Sequence, residues 1–237
     1  MDDALRPAEP TPPSKAGSGL RLNAQPDWLY LLREFDALYR YGSAGGSKAI
    51  RSHRKGVRDA LSTVIAANPE LDIRVPAEKP VTAHFSRALD LGERAAMQGM
   101  ARALREIRDR LTWEYGYDRL PQSLAQKYAY CEVLGPRGPV PSDRLILGFV
   151  LFAPQTTYPQ HNHEHIEESY ISISGAWSEN NAAVYAPGSL ILNRSGENHR
   201  ITTGDLDPCL LAYAWTGSKT ALQQPGMKLN AGRKTRS

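Results

Sequence analysis

Cysteine is scarce in this 237-residue chain, which has only Cys131 and Cys209, so no disulfide framework carries the fold. Both lie in apolar runs and read as buried thiols of a reducing compartment, with a disulfide as the alternative. Long hydrophobic runs are missing as well. None approaches the roughly 20 apolar residues that cross a bilayer, which excludes a helical membrane protein. The opening MDDALRPAEPTPPSK is acidic and proline-rich and lacks an apolar core, so it does not read as a secretory signal and the cytoplasm is the expected compartment. A basic surface is lacking in the body of the chain. The net charge is +4, but the acid-free stretch after Gly217 holds five cations, Lys219, Lys228, Arg233, Lys234 and Arg236, which exceed that excess by one. A nucleic-acid partner is therefore not expected. Arg51, Arg54, Lys55 and Arg58 cluster on a helical stretch, where a solvated charged face is the plainer meaning, and no helix-turn-helix pattern accompanies them.

What is present divides into four stretches. Residues 1–25 hold Pro7, Pro10, Pro12, Pro13 and a Gly17-Ser18-Gly19 run, the composition of a disordered arm. Residues 26–113 form a helical region. Within it DWLYLLREFDALYRY (27–41) repeats apolar residues at three and four, with Asp27 placed as a cap. SKAIRSHRKGVRDALSTVIAAN (47–68) does the same and is stopped by Asn68-Pro69, and Phe85 to Trp113 reads as one further helical segment. Residues 114–217 carry short apolar or alternating runs, at 127–135, 144–154, 168–175, 181–187, 189–193, 199–203 and 209–215, punctuated by Gly, Pro, Asn and Asp. That even punctuation predicts an antiparallel β-barrel or jelly roll. Residues 218–237 are left as a basic flexible tail. No internal repeat implies a second domain of the same kind.

The β region contains HNHEHIEESYISISG, which is His161-x-His163, four residues, Glu168, six residues and Gly175. From Gly188, five residues lead to Arg194, then Ser195, Gly196, two residues, His199, three residues and Thr203. These spacings match the two cupin motifs, with departures at Gln155, Arg194 and Thr203, where that family has Gly, Pro and Asn. The resemblance implies a mainly β fold, a single antiparallel cupin barrel behind the N-terminal α-helical region. The spacing also has a direct physical reading. Strand side chains alternate faces, so His161 and His163 point the same way into the barrel. Glu168 returns on the next strand after a short turn, and His199 arrives from a third. Three imidazoles and one carboxylate suit one divalent transition metal, with zinc the first choice and Fe, Mn, Co or Ni admissible. His165 shares the parity of His161 and His163 and is an alternative ligand. Glu164 and Glu167 read as solvated loop carboxylates, although Glu167 would take the metal if the turn were one residue shorter.

Three tyrosines border the expected metal. Tyr158 precedes His161 by three residues, Tyr170 follows Glu168 by two on the same strand face, and Tyr213 lies on a strand after His199. Each phenol taken alone is more often a core aromatic, and Tyr170 is the one whose placement favours chemistry. Beyond the two motifs, KYAYCEVLGPRGPV, LILGFVLFAPQTTYPQHNH, ESYISISGAWSEN, VYAPGSLILN, NHRITTG and LLAYAW resemble the cupin dimethylsulfoniopropionate lyases, most closely the DddL type. The likeness covers about Trp113 to Gly217. It implies a metal-dependent carbon–sulfur lyase that releases dimethyl sulfide and acrylate by β-elimination. Stabilising the charge that develops beside the substrate carboxylate calls for the metal to take that carboxylate as a Lewis acid; by resemblance Tyr170 is the base, and Tyr158 and Tyr213 are placed to orient the substrate or support Tyr170. A methylated sulfonium suits an aromatic face, so Trp177 and Trp215 are candidate substrate contacts, with core packing as the alternative. Another metal-dependent cupin enzyme, a dioxygenase or isomerase, is the rival reading, as is a non-enzymatic cupin that senses a small ligand. A homodimer is the expected assembly.

Overall fold

The computed structural model describes residues 19–42, 46–117, 120–225 and 228–229. Residues 1–18 of the expected arm and 230–237 of the expected tail lie outside them. The end of the arm is packed: residues 22–24 form a 3-10 turn with Leu22 buried. Four helices follow. They are α1 (Pro26–Tyr41), α2 (Lys48–Ala67), α3 (Phe85–Arg94) and α4 (Gln98–Glu106).

Proline at the first position fixes the start of α1, because its ring presets the helical φ where no N–H is needed. Asp27 is not the cap. Gln25 occupies that position, and Asp27 sits in the first turn, where it pairs with Arg110 at 2.7 Å. Trp28, Leu31, Leu32, Phe35 and Tyr39 form the buried stripe of α1, and burial of each large apolar side chain contributes about 1.5–3 kcal/mol. Ser47 caps α2 by accepting from Ile50 N, and Asn68 ends it in the left-handed conformation (φ 47°), as Asn-Pro predicts. The single helix expected over 85–113 is two. Ala95 leaves the helical region and α4 folds back on α3, with Gly92 close enough that a Cβ would stand 3.1 Å from the Ala101 side chain. A straight helix of that length would run about 1.5 Å per residue past the core, whereas the hairpin returns both apolar faces to it.

The β region comprises β1 (Tyr128–Gly135), β2 (Val140–Pro141), β3 (Leu145–Phe152), β4 (Thr157–Asn162), β5 (Ile166–Ser174), β6 (Trp177–Glu179), β7 (Val184–Tyr185), β8 (Leu190–Asn193), β9 (His199–Thr203), β10 (Cys209–Gly217) and β11 (Lys228–Leu229). A helical turn, α5 (Gln122–Ala125), precedes β1, and α6 (Lys219–Gln223) follows β10 with Leu222 buried, so the first part of the expected tail is folded. The strands make a six-stranded sheet in the order β2-β1-β3-β10-β5-β8 and a five-stranded sheet in the order β11-β4-β9-β6-β7. Every pairing is antiparallel except the short contact of β1 with β2.

Alternation along the six-stranded sheet divides the core in two. Leu145, Leu147, Phe149 and Leu151 of β3, with Leu210, Ala212 and Ala214 of β10, pack against the helices. Phe35 of α1 meets Phe149 there, with ring centroids 5.2 Å apart. Ile146, Val150 and Phe152, with Cys209, Leu211, Tyr213 and Trp215, join Tyr158 of β4 and Ile201 of β9 in a second core. A sheet buried on both faces explains why RLILGFVLF reads as a continuous apolar run. Cys131 and Cys209 are buried free thiols that belong to different cores, on opposite faces of the sheet. No described helix is long and apolar enough to cross a membrane.

Candidate metal centre

His161 of β4 and His199 of β9 sit directly opposite each other in the register, and their ring centroids are 4.0 Å apart. His163 follows one residue after the end of β4 and keeps the same facing. Its position is tied down by Gly196, whose N–H donates to the His163 carbonyl at 2.8 Å, while Gly196 itself adopts φ 79°, a conformation that favours glycine. Glu168 comes from β5 in the other sheet. One ligand atom from each of His161, His163, Glu168 and His199 lies within 4.8 Å of all the others, and all four residues are buried. His165 does not join them. It is exposed in the turn between β4 and β5 with φ 63°, so the strand parity that groups it with His161 has ended. Glu167 points to the opposite face, with its carboxylate 3.5 Å from His53 Nδ1 of α2.

The ring orientations of His161 and His199 turn Nδ1 to the backbone and Nε2 toward the cluster. His161 Nδ1 is 3.0 Å from the Pro159 carbonyl and His199 Nδ1 is 3.2 Å from the Glu197 carbonyl, contacts that hold N–H on Nδ1 and a lone pair on Nε2 when the ring is neutral. Glu168 Oε2 approaches His199 Nε2 at 3.0 Å and His163 Nε2 at 3.4 Å. Yet His163 Nδ1 and Nε2, Glu168 Oε2 and His199 Nε2 are buried with no aligned hydrogen bond. A buried polar atom left without a partner costs about 1–3 kcal/mol, so four in one cluster fit a cation better than an apoprotein core. Burial pushes the His161 imidazole down to about 3, and neighbouring His199 adds to the shift, so it is neutral and ready to ligate at neutral pH. Burial alone would raise the Glu168 carboxyl, but the His163 and His199 imidazoles hold it well below its ordinary range. Burial would lower His199, and its contact with Glu168 raises it instead.

Trp215 stands in register beside Glu168 across the β10–β5 pairing, and its indole Nε1 donates to Glu168 Oε1 at 2.6 Å. Its ring also lies 4.5 Å from that of His163. Tyr213 is likewise in register with Tyr170. The pocket beside the cluster is lined by Tyr158, Tyr170, Tyr213 and Trp215 together with residues of β1 and β3. Tyr170 lies with its ring 6.2 Å from that of His199, and burial, then the charge of Glu168 and a hydrogen bond to it, raise its phenol well above the ordinary value. Tyr158 packs edge-on against His161 at 4.8 Å and donates to Tyr117 Oη at 3.0 Å. Tyr213 donates to the Cys131 carbonyl at 3.4 Å, a reach that passes over Gly148. Trp177 is not on the pocket wall. It is buried behind Tyr170, edge-on at 5.9 Å, and its Nε1 donates to Ser172 Oγ at 2.8 Å.

Sequence reasoning missed the far wall. Tyr128, Tyr130 and Glu132 of β1 and Val150 and Phe152 of β3 face the pocket, with Arg137 from the loop after β1. They fall on alternate positions of their strands, so the face was readable, but nothing local says which face meets the metal. The departures from the cupin pattern are absorbed. Gln155 takes φ 55° where that family has glycine, and Thr203 accepts from Thr156 N and donates to the Ala153 carbonyl.

A family model described as dimethylsulfoniopropionate lyase matches residues 53–211. A protein of Cereibacter sphaeroides, provisionally named dimethylsulfoniopropionate lyase DddL, is 71% identical over 217 residues, which cover 92% of this chain and 94% of that protein. Among solved structures, one chain from work on the dimethylsulfoniopropionate lyases RdDddP and RnDddQII aligns over 86% of this chain and 98% of its own length, with TM-score 0.64 and 20% identity. The lyase DddQ from Ruegeria pomeroyi aligns over 85% of this chain and 98% of its own, with TM-score 0.58 and 22% identity. At those identities the structural likeness shows a shared fold.

Proposed function

The chain belongs to the dimethylsulfoniopropionate lyase family of carbon–sulfur lyases, and from that premise we propose that it splits dimethylsulfoniopropionate into dimethyl sulfide and acrylate by a metal-dependent β-elimination with Tyr170 as base. The observation that carries this reading is the Tyr170 phenol beside a buried His161, His163, Glu168 and His199 cluster in one aromatic pocket. Those four residues would hold a divalent transition ion, zinc the first choice, which supplies Lewis-acid stabilisation of charge growing at the substrate carboxylate and offsets the field of Glu168 on Tyr170.

In the reaction the bond from the α-carbon to hydrogen breaks, its electron pair forms the new double bond, and the carbon–sulfur bond breaks with its pair leaving on sulfur. Tyr170 Oη receives the proton. A phenol raised above its usual value is a weak acid and, once ionised, a strong base, so a cation held beside Tyr170 would have to favour the phenolate. Tyr213, adjacent in the sheet, and Tyr158, anchored through Tyr117, fix the substrate against Tyr170. The rings of Tyr128, Phe152 and Tyr158 pack together on the pocket wall and give the dimethylsulfonium an apolar, electron-rich surface. Trp215 serves as the support of Glu168, and its ring closes the same wall.

The two unpaired thiols favour a cytoplasmic setting. The exposed edge strand β7, with Val184 77% accessible, favours association as a homodimer. The direct test is headspace dimethyl sulfide with acrylate in solution, after dimethylsulfoniopropionate is added to metal-replete protein. Both products are expected in equal amounts from wild type and neither from His199→Ala. Absence of both from wild type, or their persistence in His199→Ala, contradicts the proposal.

A further inference from the structure

The helical region reaches the back of the metal centre through polar side chains. On α2 the buried positions His53, Val57 and Leu61 recur every four residues, so an imidazole holds the first place of an otherwise apolar stripe. On α1 the buried stripe ends with Tyr39. Both side chains converge on one hydroxyl of β5, with Tyr39 Oη 2.8 Å and His53 Nε2 2.9 Å from Ser169 Oγ. All three residues are buried. Ser169 stands between Glu168 and Tyr170, and strand alternation turns it to the helices while its two neighbours face the pocket. The other side of the imidazole is engaged as well, with Nδ1 3.3 Å from Thr216 Oγ1 and 3.5 Å from Glu167 Oε2. Thr216 pairs with Glu167 across β10 and β5, one step from the pairing of Trp215 with Glu168.

Burial lowers the His53 imidazole below its ordinary value against the pull of Glu167, so the ring is neutral at neutral pH. An ionised carboxylate only accepts, and Glu167 therefore favours N–H on Nδ1 and a lone pair on Nε2. Ser169 Oγ then donates to His53 Nε2 and accepts from the Tyr39 hydroxyl, which satisfies all three groups. Apolar residues of the same shape would hold α1, α2 and β5 together about as well. What a satisfied directional network adds is one fixed position for the strand.

We infer that Tyr39 and His53 are positioning residues, which act through Ser169 to fix where Glu168 and Tyr170 stand in the pocket. The inference rests on the roles given above to Tyr170 and to the His and Glu cluster. Of the four grouped side chains, Glu168 alone comes from the six-stranded sheet, so the seating of β5 against α1 and α2 sets how far its carboxylate reaches toward the imidazoles. A displacement of about 1 Å at a reacting group costs roughly 100-fold in rate. Neither Tyr39, His53 nor Ser169 lines the pocket, so changing them leaves the walls that meet substrate in place.

The test compares wild type with Ser169→Ala, His53→Leu and His53→Gln in the full chain, loaded with zinc for kinetics and with cobalt(II) for spectroscopy. The visible bands of cobalt(II) follow its coordination geometry. Ser169→Ala removes a single oxygen, His53→Leu continues the apolar stripe, and His53→Gln keeps an amide oxygen able to accept from Ser169. Leu61→Ala, on the same face of α2, is the control for lost packing. Ser169→Ala and His53→Leu are expected to lower kcat for dimethyl sulfide release by about 10- to 100-fold with KM within about twofold, and to shift the cobalt bands. The double variant is expected to lose no more than the worse single one, because the two groups share one bond. His53→Gln is expected to recover most of kcat and the wild-type bands. Leu61→Ala is expected to melt earlier with kcat and bands unchanged. Unchanged kcat and bands in both Ser169→Ala and His53→Leu overturn the inference, as does a Leu61→Ala variant that loses kcat and shifts its bands in the same way. Wild type that binds cobalt and releases no dimethyl sulfide overturns the lyase reading instead, and the bands then decide the positioning of Glu168 by themselves.

Discussion

Replacing Trp215 with Phe removes one hydrogen bond while leaving an aromatic ring in the β10 register. The bond is the one from indole Nε1 to Glu168 Oε1, 2.6 Å long and buried. Without it, a carboxylate oxygen that faces protein rather than water loses its donor. A hydrogen bond to a charged acceptor is worth about 1.5–3 kcal/mol, which at about 1.4 kcal/mol per tenfold is a loss of roughly 10- to 100-fold in metal affinity. Partners that orient a metal ligand have effects of the same size, about 10–100-fold. The assay is competition for zinc against a chromogenic chelator of known affinity. Trp177→Phe is the control, because Trp177 is also buried but donates to Ser172 instead of to Glu168. The expected result is weakened zinc binding in Trp215→Phe and unchanged zinc binding in Trp177→Phe, with both variants losing some thermal stability. Equal zinc affinity in Trp215→Phe and wild type, or equal losses in both variants, would refute the reasoning.

Three further outcomes follow from particular contacts. Tyr170→Phe is expected to lower turnover by about 10²–10⁴-fold, the usual contribution of a positioned base, while zinc binding stays within the wild-type range; retained turnover in a product assay would remove Tyr170 from the chemistry. Gly148→Ala is expected to destabilise the protein by about 1–3 kcal/mol in urea, because the new methyl would run into the Cys131 carbonyl and the Tyr213 phenol. A melt indistinguishable from wild type would mean that this crossing is looser than described. Burial pushes the Cys131 and Cys209 thiols well above their ordinary range, so neither is expected to react with a thiol reagent at neutral pH until the protein is denatured, as a colorimetric thiol count before and after guanidinium would show.

The grouping of His161, His163, Glu168 and His199 was legible because it depends on local geometry. His161 and His163 share a facing by strand alternation, and Glu168 and His199 return at motif spacings that bring β5 of the facing sheet and β9, the neighbour of β4, to the same point. Parity failed for His165 because the backbone turns left-handed there, at φ 63°, and a turn ends alternation. Of the two tryptophans, only Trp215 reaches the pocket. Trp177 sits on β6, in the opposite sheet, where its indole packs behind Tyr170. That difference depends on how the two sheets face each other, which no local pattern records. The far wall, from Tyr128 to Glu132, was hidden for the same reason: β1 meets the site through pairing with β3, not through nearness in sequence. The break at Ala95 was equally invisible, since Ala and Met favour helix. Packing of Gly92 against Ala101 and Ile173 overrides that preference.

The central claim is that the buried His161, His163, Glu168 and His199 cluster holds the metal on which elimination depends. The most direct measurement strips the protein with a chelator, dialyses the chelator away, and follows dimethyl sulfide release as zinc is titrated back with bound metal counted in parallel. The account predicts no release from the stripped protein and recovery that saturates at one bound ion per chain. Full release from protein shown to be metal-free would contradict it.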